Sequence, residues 1–216
     1  GKTKLAEILQ DFTPVLILNM PRVKMGDMTR RHWVEELSIM KDRLEELTGN
    51  RITRDRLAAS VEKYRAAQLA WRRLEGIRAR SDVLWGRDAL LVAQVSFYDD
   101  MSRWTGRLNA LCDELETMAL RRLVVWKEDQ AADLPEDELA PRLLLAGSPI
   151  VWPNFKVPNL IEESGGYIAT DELCSAMRMY HDVTVVEETT VRGLLNAIAE
   201  RQLYPCTCPC FSPNLE

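Results

Sequence analysis

Across residues 29–127 the apolar side chains recur at three- and four-residue steps, and no strand signal interrupts them. Residues at that spacing share one face of an α-helix, so these roughly 100 residues must fold as helices joined through their apolar stripes. Four helices are predicted. The first takes Thr29 as its N-cap and carries Trp33, Leu37, Met40, Leu44 and Leu47 to a stop at Gly49. Thr53 caps the second, which runs through Leu57, Val61, Tyr64, Leu69 and Trp71 to about Ile77. The third covers about residues 87–97. The fourth covers residues 101–126, with Trp104, Leu108, Leu111, Leu115 and Met118 on one face. Charges such as Glu35, Glu36, Arg72 and Arg73 fall opposite the stripes and read as a solvated face.

The flanks follow a different pattern. Residues 14–21 form a short apolar run between Pro14 and Pro21, as a fully buried strand of a parallel sheet does. A short helix with Leu5, Ile8 and Leu9 precedes it, so the pair reads as the closing αβ step of an upstream domain. After the helices comes an acidic, proline-containing linker. Residues 142–146 then form an apolar strand that stops at Gly147-Ser148-Pro149. A helix ends at Gly165-Gly166, a second strand covers 167–172, and a further helix covers about 191–202. This β-loop-α-β-loop-α order opens a doubly wound parallel sheet, whose ligand-facing loops lie at the carboxyl ends of its strands. The expected class is therefore α/β. Residues 1–28 close an upstream α/β domain, 29–128 form the helical segment, 129–141 the linker, and 142–216 a partial second α/β domain.

Several function classes are disfavoured. The chain is 46% hydrophobic and 28% charged, an ordinary globular balance, and its net charge of −5 offers no excess of cations to a nucleic acid. No apolar run approaches the roughly 18 residues that span a bilayer, so a cytoplasmic protein without a membrane partner is expected. Five cysteines are an odd number, and Cys206, Cys208 and Cys210 crowd together, which does not suit a disulfide framework. The two histidines, His32 and His181, lie far apart and outside any zinc-hydrolase motif. Fingerprints of P-loop, dinucleotide-binding and serine-hydrolase sites are absent. Glu162 and Glu163 are expected to be solvated.

Three segments could carry chemistry. The Gly147-Ser148-Pro149 loop sits where open α/β sheets bind ligands, although a structural tight turn explains the tripeptide equally well. The segment from Asp171 to Arg178 places a thiol, Cys174, two carboxylates and a guanidinium at the same sheet edge. A lone cysteine there is also an ordinary small packed residue, whereas Arg178 suits a carboxylate, thioester oxygen or phosphate. In an extended chain Cys206, Cys208 and Cys210 would share a face, either as soft-metal ligands or as small packed residues.

Taken in order, these landmarks resemble one family. Trp33, Leu37, Leu44, the Gly49-Asn50-Arg51-Ile52-Thr53 turn, Asp55 and Leu57 are similar to its helical insertion with a "tGxxItxxxL" signature. The stretch from Arg142 to Ile150 resembles "RiLlxGxPI". Gly165-Gly166 with Asp171-Glu172-Leu173-Cys174 and Arg178 resembles "GgxvvxDdlCtGxR", and Cys208 to Asn214 resembles "CxCxxPN". The family is that of 2-hydroxyacyl-CoA dehydratase and benzoyl-CoA reductase subunits. The resemblance implies a [4Fe-4S] cluster, an acyl-CoA substrate, a paralogous second subunit and an ATP-dependent activator that delivers a low-potential electron. One-electron reduction of the thioester would give a ketyl radical anion, opening the way to dehydration or ring reduction. Carried onto this sequence, Gly147, Ser148, Cys174, Arg178, Cys208 and Cys210 line the active-site side. Two departures stand out. Cys174-Ser175-Ala176 replaces the usual "CtG", and Cys206 has no counterpart. Other cluster cysteines are expected before Gly1 and after Glu216, so the chain reads as the middle of a longer polypeptide, with no metal expected in it alone. The competing function is a non-catalytic interaction or electron-transfer scaffold of the same family, using tryptophans of the helical segment. A zinc protein using Cys206, Cys208 and Cys210 is a third reading. The catalytic reading depends on the strand ends at Ala146 and Glu172 lying side by side.

Overall fold

A computed structural model describes residues 2–24, 26–118 and 139–204. The elements are α1 (Lys2–Leu9), α2 (Asp27–Thr48), α3 (Arg54–Arg80), α4 (Gly86–Val95), α5 (Met101–Thr117), β1 (Arg142–Gly147), α6 (Lys156–Glu163), β2 (Tyr167–Leu173), α7 (Met177–Tyr180) and α8 (Val191–Leu203). This mix of helices with a parallel strand pair is the α/β class expected. The chain forms two compact units, Gly1–Val61 with Thr184–Glu216, and Glu62–Val183.

In the first unit α2 packs on α8. Trp33, Val34 and Leu37 bury their side chains against Leu195, Ala199 and Leu203, with Met40 and Leu57 alongside. The Trp33 indole N–H donates to Gln202 Oε1 at 2.7 Å, and Arg30 pairs with Glu200 at 2.8 Å. As expected, α2 ends at Gly49, which adopts φ +69° and donates its N–H to the Glu45 carbonyl. Its start differs from expectation: the helix begins at Asp27, so Thr29 lies inside the first turn rather than capping it. Thr190 caps α8 by accepting the Gly193 N–H at 2.9 Å. Residues 14–21 carry no ladder among the described residues, and Leu16 is exposed, unlike the buried strand expected there. An apolar run between prolines becomes a strand only where another strand pairs with it.

The second unit is built around Trp71, Leu74, Leu90, Trp104, Leu108, Leu173 and Tyr180. The rings of Trp104 and Tyr180 lie 4.8 Å apart, and Trp71 stacks on Trp104 at 6.5 Å. Trp33, Trp71 and Trp104 are therefore core residues and supply no surface for a scaffold role. Asp100 caps α5 through the N–H groups of Ser102 and Arg103. That helix, predicted to reach residue 126, stops at Thr117, and Met118 is already extended at φ −74°, ψ 146°. Trp126 lies outside the described residues.

Strands β1 and β2 pair in parallel, with one irregularity between Leu143 and Leu144 that leaves Ala169 without a partner. Polar groups anchor the pair. Arg142, at the start of β1, reaches the buried Asp82, donates to the Arg78 carbonyl at 2.8 Å and lies over the Tyr167 ring. Arg78 in turn donates to the Ile168 carbonyl at 2.6 Å. Glu162, expected to be solvated, is instead buried. Its carboxylate accepts the N–H groups of Gly86 at 2.7 Å, Arg87 at 3.2 Å and Ile168 at 3.4 Å. It thus closes the amino end of α4, where orphan N–H groups and the helix dipole favour an anion. Burial still raises its carboxyl above the ordinary glutamate range.

Helix α4 meets β2 closely at Gly86. A Cβ there would fall 2.5 Å from the Ile168 carbonyl oxygen, closer than any real contact. Gly86→Ala is expected to cost about 1–3 kcal/mol through that overlap, measured by urea unfolding. Stability equal to wild type would show that the packing relaxes freely.

Candidate carboxyl-edge site

The strand pairing decides the position of the site. Ala146 is the register partner of Glu172, and Gly147 that of Leu173. The two strand ends therefore lie side by side, as the catalytic reading of the sequence requires.

Gly147 adopts φ +141°, a backbone conformation that L side chains rarely take, so glycine is needed to turn the chain out of β1. Ser148 follows directly, and the chain then runs to Phe155, whose side chain is buried in the core of the unit.

The exit from β2 is organised by Asp171. Its carboxylate Oδ1 accepts the Leu173 N–H at 3.0 Å and the Met177 N–H at 3.2 Å, closing the turn around Cys174. Cys174 itself is exposed. Arg178 stands over it: Nε donates to Glu172 Oε2 at 2.9 Å, and Nη1 donates to the Cys174 sulfur at 3.3 Å. The hydrogen bond to Glu172 tightens the guanidinium's hold on its proton, against the opposing effect of burial. The arrangement is an exposed thiol beside a fixed cation. One end of the guanidinium is tied to Glu172, so it is held in place.

Gly147, Ser148, Cys174 and Arg178 are thus brought to one sheet edge. Cys206, Cys208 and Cys210 lie outside the described residues. Cys112 takes no part: it is buried in the core, and burial pushes its thiol up to about 11. Cluster chemistry needs several thiolates. Among the described residues no group of three or more His, Cys, Asp or Glu side chains converges on one point. The described residues by themselves do not make a cluster site.

The profile of the family described as 2-hydroxyglutaryl-CoA dehydratase, D-component, matches residues 1–216. The chain belongs to that family. The family is named for a component of a dehydratase. A curated Escherichia coli (strain K12) protein named "Putative dehydratase subunit YjiM" is 29% identical over 215 residues, 99% of this chain and 52% of that protein. The chain therefore spans about half the length of this relative. Among the described residues no helix is long and apolar enough to cross a membrane.

Asp171 carries a testable consequence. Burial raises its carboxyl above the ordinary aspartate range, although its two N–H partners pull the other way. The folded chain then holds that proton more tightly than the unfolded one. Its contribution to stability is therefore fullest below about pH 4 and falls as pH rises through the folded value. Asp171→Asn keeps an acceptor for both N–H groups and removes the charge. It should lose this decline, so that unfolding curves of variant and wild type diverge as pH rises from about 4 to 7. Asp171→Ala should cost about 1–3 kcal/mol by leaving both N–H groups unpaired. Parallel pH profiles for Asp171→Asn and wild type would contradict this assignment.

Proposed function

We propose that the whole protein of which this chain is part is the iron–sulfur subunit of a 2-hydroxyacyl-CoA dehydratase or benzoyl-CoA reductase-type enzyme, and that the carboxyl edge of β1 and β2 faces the acyl-CoA thioester. The supporting observation is the Ala146–Glu172 register, which puts the Gly147-Ser148 turn beside the Cys174–Arg178 turn. Negative charge grows on the thioester oxygen when it takes up an electron. Turn N–H groups and a fixed guanidinium are suited to stabilising it, because their dipoles and charge are oriented before the charge develops. Arg178 has little freedom to swing away, being anchored by Glu172.

A bound cluster would supply low-potential one-electron chemistry, with the electron coming from an ATP-dependent activator. Its ligands would have to be drawn largely from outside the described residues. Cys174, exposed and beside Arg178, is the described thiol suited to that side of the site. The remaining proposed partners are a paralogous second subunit and a cytoplasmic, anaerobic setting.

The test is anaerobic purification of the full-length protein, followed by iron and sulfide analysis and by assay with partner, activator, ATP and a reductant. A brown protein that dehydrates a 2-hydroxyacyl-CoA or reduces benzoyl-CoA supports the proposal. A colourless protein after anaerobic reconstitution with iron and sulfide refutes it. Arg178→Lys cannot bridge Glu172 and the thiol with a planar fork, and is expected to lower kcat/KM about tenfold or more while leaving thermal stability near wild type.

A further inference from the structure

Two polar side chains that the proposed chemistry leaves unused hold the loop leaving β1. Gln94, on α4, is only 4% exposed. Its amide nitrogen donates to the Ile150 carbonyl at 2.7 Å, and its amide oxygen accepts the Trp152 N–H at 3.0 Å. A single side-chain amide thereby satisfies an acceptor and a donor two residues apart, as a neighbouring strand would. Ser175, the residue after Cys174, supplies a second pin. Its Oγ accepts the Ile150 N–H at 3.2 Å and donates to the Ile150 carbonyl at 2.8 Å. Ile150 packs against the core of the unit, and buried Phe155 secures the far end of the loop.

The placement of these pins is informative. Ile150 lies three positions beyond Gly147, and Ser175 is bonded directly to Cys174. The Ile150 peptide is thus tied at once to α4 and to the turn that leaves β2. A methionine or leucine at position 94 could fill the same space. Beyond the stability those two hydrogen bonds contribute, about 1 kcal/mol each, the amide fixes where the loop runs. A fully satisfied buried polar group selects one arrangement over near alternatives.

We infer that Gln94 is a positioning residue. Acting through Ile150 and Trp152, with Ser175 as its counterpart, it sets the Gly147-Ser148 turn against the Cys174–Arg178 turn. The inference rests on the proposed reading of this edge as the thioester-facing surface. Small misplacements are costly in such a site, since a shift of about 1 Å can cost on the order of a hundredfold in rate.

The test uses the full-length enzyme with its partner and activator, in three variants: Gln94→Met, which keeps volume and removes both hydrogen bonds, Ser175→Ala, and Ser175→Thr, which keeps the hydroxyl. Hydrogen exchange at the Ile150 and Trp152 amides reads the clamp, and steady-state kinetics on the acyl-CoA substrate reads its use. Gln94→Met should speed exchange at Trp152 and lower kcat by about tenfold or more with little change in KM. Ser175→Ala should do the same at Ile150, and Ser175→Thr should restore both. Gln94→Met with kcat within about twofold of wild type, despite faster exchange, overturns the inference and leaves the functional reading standing. Should Gln94→Met fail to fold, equal losses in Ser175→Ala and Ser175→Thr overturn it instead. A wild-type enzyme with no turnover on any acyl-CoA overturns the functional reading, and this inference with it.

Discussion

The second unit depends on one buried carboxylate. Glu162 sits at the end of α6 with its side chain out of contact with water, and it accepts N–H groups from Gly86 and Arg87 in α4 and from Ile168 in β2. A buried carboxylate is tolerable only when its lone pairs are filled and opposite charge is near. Here the helix amino end, with its unpaired N–H groups, meets both needs. Three elements are joined at that point, α4 lying more than seventy positions before the other two, and Gly86 is the residue that allows α4 and β2 to come close enough.

From that junction the rest of the sheet follows. Arg78 reaches the Ile168 carbonyl, Arg142 reaches Asp82 and the Arg78 carbonyl, and the Arg142 guanidinium lies over Tyr167. These ties hold the amino ends of β1 and β2 against α3. The carboxyl ends are left to turns held by lighter polar contacts from Asp171, Gln94 and Ser175. The division suits a site in which one end of a short sheet is anchored and the other presents backbone and side chains to a ligand.

Much of this was legible beforehand. The glycine stop of α2, the bounds of β2 and α8, and the adjacency of Ala146 and Glu172 follow from periodicity, turn residues and the β-loop-α-β order. The burial of Glu162 is not legible in the sequence, because a charge on a helix face is ordinarily solvated, and nothing local reveals that a helix end will come to meet it. Thr29 has the look of a cap, since a hydroxyl before an apolar stripe fits that role, yet Asp27 already begins the helix. Gln94 gave no signal, since one amide among the residues of a helix resembles any other polar position.

The amino-acid order alone determined the helical stretch, the strand–turn punctuation around Gly147 and Gly165, and the ordered motifs by which the family is recognised. All of these are local properties: spacing along the chain, backbone freedom at glycine and proline, and residue identity. Tertiary structure alone decided which polar groups are buried together and which peptide each one holds. Hydrogen bonds between Glu162 and Gly86, or Gln94 and Trp152, link residues more than fifty positions apart. Their partners are chosen by packing, where an unsatisfied polar group costs more than a satisfied one returns.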